Sequence, residues 1–187
     1  MLGGGLMLVV AFVIVVALLL FLYYYNKIVI FANRIDNAWS QIDIQLKKRS
    51  DLVPNLVETV KGYAKHEKSI MDAVSSAHKA MLGAGTPAAK MKASNQMTMA
   101  LKSLIAIAEN YPQLKANENF RLLQEQLEGI ENKIAYSRQF YSDSVLDYNN
   151  TVTTMPGLWF AGLFGKSKMK SYFEASETER KPVKVQF

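Results

Sequence analysis

Hydrophobic positions divide the chain into one continuous apolar run and a series of helical stripes. Leu6 to Tyr25 is almost entirely Leu, Val, Ile, Phe and Ala, and residues 1–26 carry no charged side chain. About 20 apolar residues cross a bilayer as a helix, and Tyr23, Tyr24 and Tyr25 suit its interface. We predict an uncleaved transmembrane anchor over residues 1–26, because a signal peptide would have a basic start and a small-residue cleavage site.

Beyond Ile28 the apolar residues recur in steps of three and four, which is the period of an amphipathic helix. Sustained strand-like alternation is absent from the sequence. We predict soluble helices at about 27–49, 51–82 and 87–110, with a fourth that begins after Asn117 as its cap. The predicted apolar stripes are Val53, Leu56, Val60 and Tyr63 on the second helix and Met97, Leu101, Leu104 and Ala108 on the third.

A chain reversal is predicted between Arg49 and Pro54. The run Lys47-Lys48-Arg49 suits the C-terminal end of a helix dipole, and Ser50 or Asp51 suits the cap of a following helix. Pro54 would then lie in the first turn, where its missing N–H costs nothing. The first two soluble helices should therefore lie antiparallel.

The fourth predicted helix is the longest, and its apolar residues repeat about every seven positions, as in coiled coils. Its stripe consists of Phe120, Leu123, Leu127, Ile130, Ile134, Tyr141 and Tyr148, and drifts toward Val145 and Val152. Four stripes joined by short loops predict an all-α fold, an antiparallel up-down-up-down four-helix bundle. We expect three parts: a transmembrane anchor at 1–26, a cytoplasmic helical bundle at 27–155 and a membrane-proximal tail at 156–187.

Charge indicates the orientation of the anchor and the nature of its surroundings. The net charge is +6, and Lys27 and Arg34 follow the anchor closely. The positive-inside rule therefore places the bundle in the cytoplasm and the short N-terminus outside the cell membrane. Basic residues are mostly interspersed with acidic ones and no nucleic-acid recognition motif is visible, so we expect no nucleic-acid partner.

The tail after Pro156 combines aromatic residues with a basic cluster. An even number of antiparallel helices should return the chain to the membrane at this point. Aromatic side chains beside lysines suit an anionic leaflet. The alternative is that the aromatic residues cover the end of the bundle or a neighbouring subunit. The predicted membrane-interface residues of the tail are Trp159, Phe160, Phe164, Lys166, Lys168 and Lys170.

Few residues in the sequence suggest catalysis or metal binding. The chain has no cysteine and two histidines, and His66-Glu67 lacks the second histidine of a zinc protease helix. We therefore expect no metal, cofactor or catalytic residue. Glu67 falls on the predicted apolar stripe, so we expect a structural polar partner for it, a Tyr, Asn, Lys or Arg on a facing helix, with Arg138 as one candidate. The alternative is a ligand or proton site at Glu67. An acidic ridge on the fourth helix, which we expect to be solvated, contains Glu125, Glu128 and Glu131.

Several blocks resemble the LemA family at specific spacings. The longest, Trp39 to Glu67, contains W-S-Q-I-D, Q-L-K-K-R and D-L-V-P-N-L-V-E-T-V-K-G-Y. Further resemblance lies at Glu109–Phe120 (E-N-Y-P-x-L-K-A-N-x-x-F), Leu127–Ile134 (L-E-x-x-E-N-x-I), Arg138–Asn149 (R-x-x-Y-x-x-x-V-x-x-Y-N) and Pro182–Phe187. The resemblance implies a membrane-anchored helical bundle and no catalytic residue.

These observations predict a non-enzymatic scaffold or interaction protein that self-associates at the membrane. The lipid bilayer, further copies of the chain and other membrane proteins are the expected partners. Two alternatives stay open: a ligand-binding or enzymatic bundle that uses polar residues around Glu67, and an accessory subunit of a membrane protease or transporter.

Overall fold

The computed structural model describes residues 2–173, and every regular element in that range is a helix. The all-α prediction is confirmed, whereas Pro182–Phe187 lies outside the described residues. In chain order the helices are α1 (Leu2–Lys61), α2 (Lys68–Leu82), α3 (Pro87–Ala108), α4 (Pro112–Lys115), α5 (Glu118–Thr153) and α6 (Gly157–Leu163).

The predicted reversal between Arg49 and Pro54 is wrong. Helix α1 continues through both residues to Lys61, with Pro54 inside it. The chain turns only at residues 62–67, so the helix predicted at 51–82 is in fact the end of α1 followed by the shorter α2. Ser50 is buried within α1 and does not cap a helix.

Burial explains why α1 does not break at Pro54. A proline inside a helix costs roughly 3 kcal/mol. Pro54 lies on the exposed side of α1, while Val53, Leu56 and Val60 on the opposite side are at most 1% exposed. Burying each such side chain contributes about 1.5–3 kcal/mol. Three of them outweigh the proline, so tertiary packing overrides the local stop signal.

The other helix ends follow their capping residues. The Thr86 hydroxyl accepts a hydrogen bond of 3.2 Å from the Ala89 N–H, with Pro87 at the first helical position of α3. The Asn117 side chain accepts one of 2.9 Å from the Phe120 N–H at the start of α5, which confirms it as a cap. The short helices α4 and α6 were not predicted.

The chain folds as two compact units. The first combines the chain up to Ser40 with Arg138–Tyr172, and the second contains Gln41–Ser137. In the first unit α1 and α5 run antiparallel, because Trp39 packs edge to face on Tyr141, while Arg34, earlier in α1, pairs with Asp147, later in α5.

The second unit contains the larger apolar core, to which α1, α2, α3, α4 and α5 all contribute. Its fully buried members include Leu56, Val60, Val74, Met97, Leu104 and Leu114. The predicted core faces of α3 and α5 are largely confirmed, since Met97, Leu101, Leu104, Ala108, Phe120, Leu127 and Ile134 are all buried. Tyr63, predicted on the stripe of the second helix, is instead 40% exposed in the turn after α1.

Candidate functional site

Aromatic rings hold α6 against α1 in the first unit. The ring of Phe160 stacks on Tyr24, with centroids 5.2 Å apart and planes 9° from parallel. Phe164 meets Phe21 and Tyr25 edge to face, at centroid distances of 5.0 and 5.1 Å. Such pairs contribute roughly 0.5–1.5 kcal/mol each beyond their burial. Helix α6 is thereby fixed beside the last turns of the apolar segment of α1.

Gly157 allows α6 to approach its neighbours closely. A Cβ at this position would lie 2.0 Å from the Thr151 carbonyl oxygen and 3.5 Å from Cδ1 of Tyr24. A Cβ at Gly162, farther along the same helix, would meet no atom within 4 Å, because this residue lies on the open side of α6. The small residue at Gly157 is therefore a packing requirement.

The segment after α6 is bound to α5 through its backbone. The Tyr148 hydroxyl donates to the Lys166 carbonyl at 2.9 Å, and the Tyr141 hydroxyl donates to the Ser171 carbonyl at 3.1 Å. The Asn149 side chain accepts from the Lys170 N–H at 2.8 Å and donates to the Lys170 carbonyl at 3.0 Å. These four bonds fix the course of the lysine-containing tail.

Burial changes the acidity of the two tyrosines that hold the tail. Burial raises the pKa of Tyr148 above its ordinary value of 10.0. It raises the pKa of Tyr141 as well, with a further contribution from the negative charge of Asp36. Both hydroxyls therefore stay protonated and keep donating well into the alkaline range.

The structure divides the predicted interface residues into two groups. Tyr24, Phe160 and Phe164 are half-buried in the contact between α1 and α6. The second group is more exposed: Tyr23, Tyr25, Trp159, Lys168 and Lys170 are exposed, although the Tyr25 ring also touches Phe164, and Lys166 is half-buried. The aromatic residues of the tail thus both pack on α1 and leave Trp159 uncovered.

Arg49 forms a polar cluster within the second unit. Its side chain is 1% exposed, and Nη1 donates to Oε2 of Glu131 at 2.7 Å and to the Thr98 hydroxyl at 2.8 Å. Its Nη2 donates to the hydroxyl and the carbonyl of Ser94, at 2.8 and 3.1 Å. Burial lowers the pKa of Arg49, and Glu131 opposes that effect. The guanidinium stays charged, since arginine does not lose its proton in proteins.

A groove between α3 and α5 opens beside this cluster. Its volume is about 260 Å³. Apolar walls come from Leu101, Ile105 and Leu127, and polar residues at its edge from Arg49, Thr98, Lys102, Gln124, Glu128, Glu131 and Asn132. Glu125 and Glu128 of the predicted acidic ridge are exposed, as expected for a solvated face, and Glu128 also lines this groove. Glu131 is only partly exposed and pairs with the buried Arg49.

Glu67 lies in the turn before α2 and is half-buried. The Tyr111 hydroxyl donates to its Oε1 at 3.1 Å, and this bond is the main reason why the pKa of Tyr111 is raised. Arg138, a candidate partner suggested from the sequence, is half-buried on α5.

Sequence reasoning missed the role of Arg49, although a signal was present. Ile42, Leu46, Arg49 and Val53 follow one another in steps of four, three and four, so Arg49 occupies a core position of α1. The predicted reversal hid this spacing. Within residues 2–173, His, Asp and Glu side chains form no group of three or more that could hold a metal ion.

Comparison with known proteins places the chain in a family. The magnetosome protein MamQ of Magnetospirillum gryphiswaldense is 24% identical over 161 residues. That match covers 72% of this chain, and the chain spans 59% of the length of MamQ. The LemA family model matches residues 38–187, a range that includes the Arg49 cluster and the tail bound to α5. With well over half of its length matched, the chain belongs to the LemA family.

Proposed function

We propose that this protein is a single-pass membrane-anchored scaffold or interaction protein without enzymatic activity. The observation that carries the proposal is α1, the one helix in the described range that is long and apolar enough to cross a membrane. None of its apolar segment is buried by protein. The same helix continues without a break into the core of the second unit.

The proposed architecture is an anchor at 1–26, an up-down-up-down bundle within 27–155 and a membrane-proximal tail at 156–187. Helix directions in the second unit support the bundle. Residues farther along α1 contact residues farther along α3, so these two helices run parallel. Residues farther along α1 contact residues earlier in the chain at α5, so these two helices run antiparallel. These contacts are Asp43–Lys90 and Arg49–Thr98 for the first pair and Arg49–Glu131 for the second, with Tyr63–Asn117 just beyond the end of α1 and just before the start of α5.

The proposed orientation has the bundle in the cytoplasm. Lys27 and Arg34 follow the apolar segment in α1. The bonds between α5 and the tail hold Lys166 and Lys170 within the same unit as that segment. Basic residues close to a membrane span favour its cytoplasmic side.

Self-association in the plane of the membrane is part of the proposal. Leu122 is 45% exposed and Tyr136 is 75% exposed, and the two lie fourteen residues apart on α5. Two heptads separate them, which places them close to one stripe of the helix. An anchor also confines all copies to two dimensions and so raises their effective concentration.

Two measurements test this function on the full chain. We expect the protein to stay in membranes after alkaline carbonate washing, and release into the wash would refute the anchor. Because the chain has no cysteine, Tyr136→Cys introduces a single thiol. We expect a disulfide-linked dimer in oxidised membranes, and Asp51→Cys on the exposed side of α1 is the matched control. Monomer alone at both positions would count against self-association.

A further inference from the structure

Helix α6 has two different apolar faces. The residues toward its protein neighbours are Gly157, Phe160, Ala161 and Phe164, which are buried or half-buried. The opposite face consists of Leu158, Trp159, Gly162 and Leu163, which are all exposed. Trp159 is 62% and Leu163 is 74% exposed. One face is therefore occupied by protein, and a second apolar face faces outward.

The position of α6 indicates what covers this outward face. Its rings contact Phe21, Tyr24 and Tyr25, which form the end of the apolar segment of α1. If that segment crosses the bilayer, as the proposed function requires, α6 lies at the level where hydrocarbon gives way to headgroups. Tryptophan and tyrosine side chains are enriched at this level, because one end of each ring is apolar and the other is polar.

The charge next to α6 indicates the lipid class. Lys166, Lys168 and Lys170 follow α6 within seven residues of its end, and no acidic residue lies between Gly157 and Ser171. Hydrogen bonds from Tyr148 and Asn149 hold the backbone at Lys166 and Lys170. A basic segment near the surface is attracted to anionic headgroups over about a Debye length, roughly 10 Å at 0.1 M salt.

We propose that α6 is a second membrane contact: an interfacial helix whose Leu158, Trp159 and Leu163 face enters the headgroup region of an anionic leaflet, with the following lysines on its phosphates. Helix α6 is too short to span a bilayer, and an interfacial helix buries its apolar face about 5–10 Å into the headgroup boundary. This contact would fix the rotation and tilt of the first unit relative to the membrane. The inference rests on the proposed function, because it needs α1 to be the anchor.

The two tryptophans of the chain make the test internally controlled. Trp39 lies fourteen residues beyond Tyr25 in α1 and packs on Tyr141. At 1.5 Å per residue it is about 21 Å farther along the helix axis. The full chain is reconstituted in vesicles of anionic or neutral phospholipid that carry a fluorescence quencher at a shallow or a deep acyl position. Trp39→Phe reports on Trp159 alone, and Trp159→Phe reports on Trp39 alone.

We expect Trp159 emission to be quenched more by the shallow label than by the deep one, while Trp39 emission stays unchanged. Quenching should be stronger in anionic vesicles, and replacing Lys166, Lys168 and Lys170 by glutamine should remove that preference. Subtracting the emission of Trp159→Phe from that of the unaltered chain also gives the emission of Trp159, with Trp39 left in place. Circular dichroism of each variant checks that the helices are intact.

Each contrary result has a distinct meaning. If the chain floats with vesicles on a density gradient but Trp159 is as unquenched as Trp39, α6 does not contact lipid and the anchor still stands. If Trp159 emission shifts to the blue without quenching, a second copy of the chain covers the face and the lipid assignment is wrong. Equal quenching in neutral and anionic vesicles would overturn the role of the lysines. A chain that does not float would overturn both proposals.

Discussion

Replacing Arg49 tests whether the buried polar cluster stabilises the second unit. In Arg49→Met the Thr98 hydroxyl, the Ser94 hydroxyl and the Ser94 carbonyl each lose the hydrogen bond that the guanidinium donates, while the bond from the Thr98 hydroxyl to the Ser94 carbonyl stays. A buried polar group without its partner costs about 1–3 kcal/mol, and breaking a buried ion pair costs about 3–5 kcal/mol. The Glu131 side chain is 39% exposed and regains water, so we place the total near the lower end, about 3 kcal/mol.

Thermal unfolding of the full chain in a mild detergent, followed by circular dichroism, measures this loss. For a chain of this length 1 kcal/mol corresponds to about 2–4 °C, so Arg49→Met should lower the Tm by about 6–12 °C. Lys48→Met removes the same charge from an exposed neighbouring position and should stay within about 0.5 kcal/mol of the unaltered chain.

A double-mutant cycle then separates the ion pair from its surroundings. Glu131→Leu alone leaves the guanidinium of Arg49 without its carboxylate and should be destabilising. The double variant Arg49→Met/Glu131→Leu replaces the pair by apolar side chains, which is often nearly neutral. We therefore expect the double variant to be more stable than the sum of the single losses. Additive losses, or an unchanged Tm in Arg49→Met, would refute the reasoning.

Three further changes have defined outcomes. Pro54→Ala should raise the Tm by several degrees, because proline inside a helix costs up to about 3 kcal/mol, and a lower Tm would contradict the account of α1. Gly157→Ala should speed proteolytic cleavage after α5, because its Cβ meets a backbone carbonyl at 2.0 Å, whereas Gly162→Ala should leave cleavage unchanged. The folded state raises the pKa of Tyr141 and Tyr148 above 10.0, so their stabilisation is fully present below pH 10 and lost as the pH rises through the folded-state values. Replacing both by phenylalanine should flatten the fall in Tm above pH 10, and an unaltered slope would show that they do not govern it.

Local signals in the sequence predicted the start of α3 and the start of α5. The Thr86-Pro87 start of α3 and the Asn117 cap of α5 depend on bonds within one turn, so neighbouring residues determine them. The apolar stripes of α3 and α5 likewise identified most of their buried faces. These features could be predicted because the information lies within a few residues.

The failures involve partners that are distant in sequence. Pro54 and the basic run before it resemble a helix boundary, yet the residues that bury Val53 and Leu56 come from other helices. The local pattern assigns Arg49 to a basic helix end, although its partners Ser94 and Glu131 lie 45 and 82 positions away. No local rule contains that information.

The tail shows both cases together. Its aromatic and basic residues were recognisable in the sequence, and so was the return of the chain toward the anchor. The sequence did not show the division between aromatic residues that pack on protein and those that stay exposed. Phe160 packs on Tyr24, whereas Trp159 is exposed. That division depends on the phase of a seven-residue helix and on the close approach at Gly157, neither of which the pattern specified.

The orientation of single cysteines in intact cells tests the central claim most directly. The chain has no cysteine of its own, so Gly4→Cys and Tyr136→Cys each carry one thiol, the first before the apolar run Leu6–Tyr25 of the proposed anchor and the second after it. A membrane-impermeant maleimide should label Gly4→Cys in intact cells and Tyr136→Cys only after lysis. Labelling of Tyr136→Cys in intact cells would contradict a cytoplasmic, membrane-anchored helical domain.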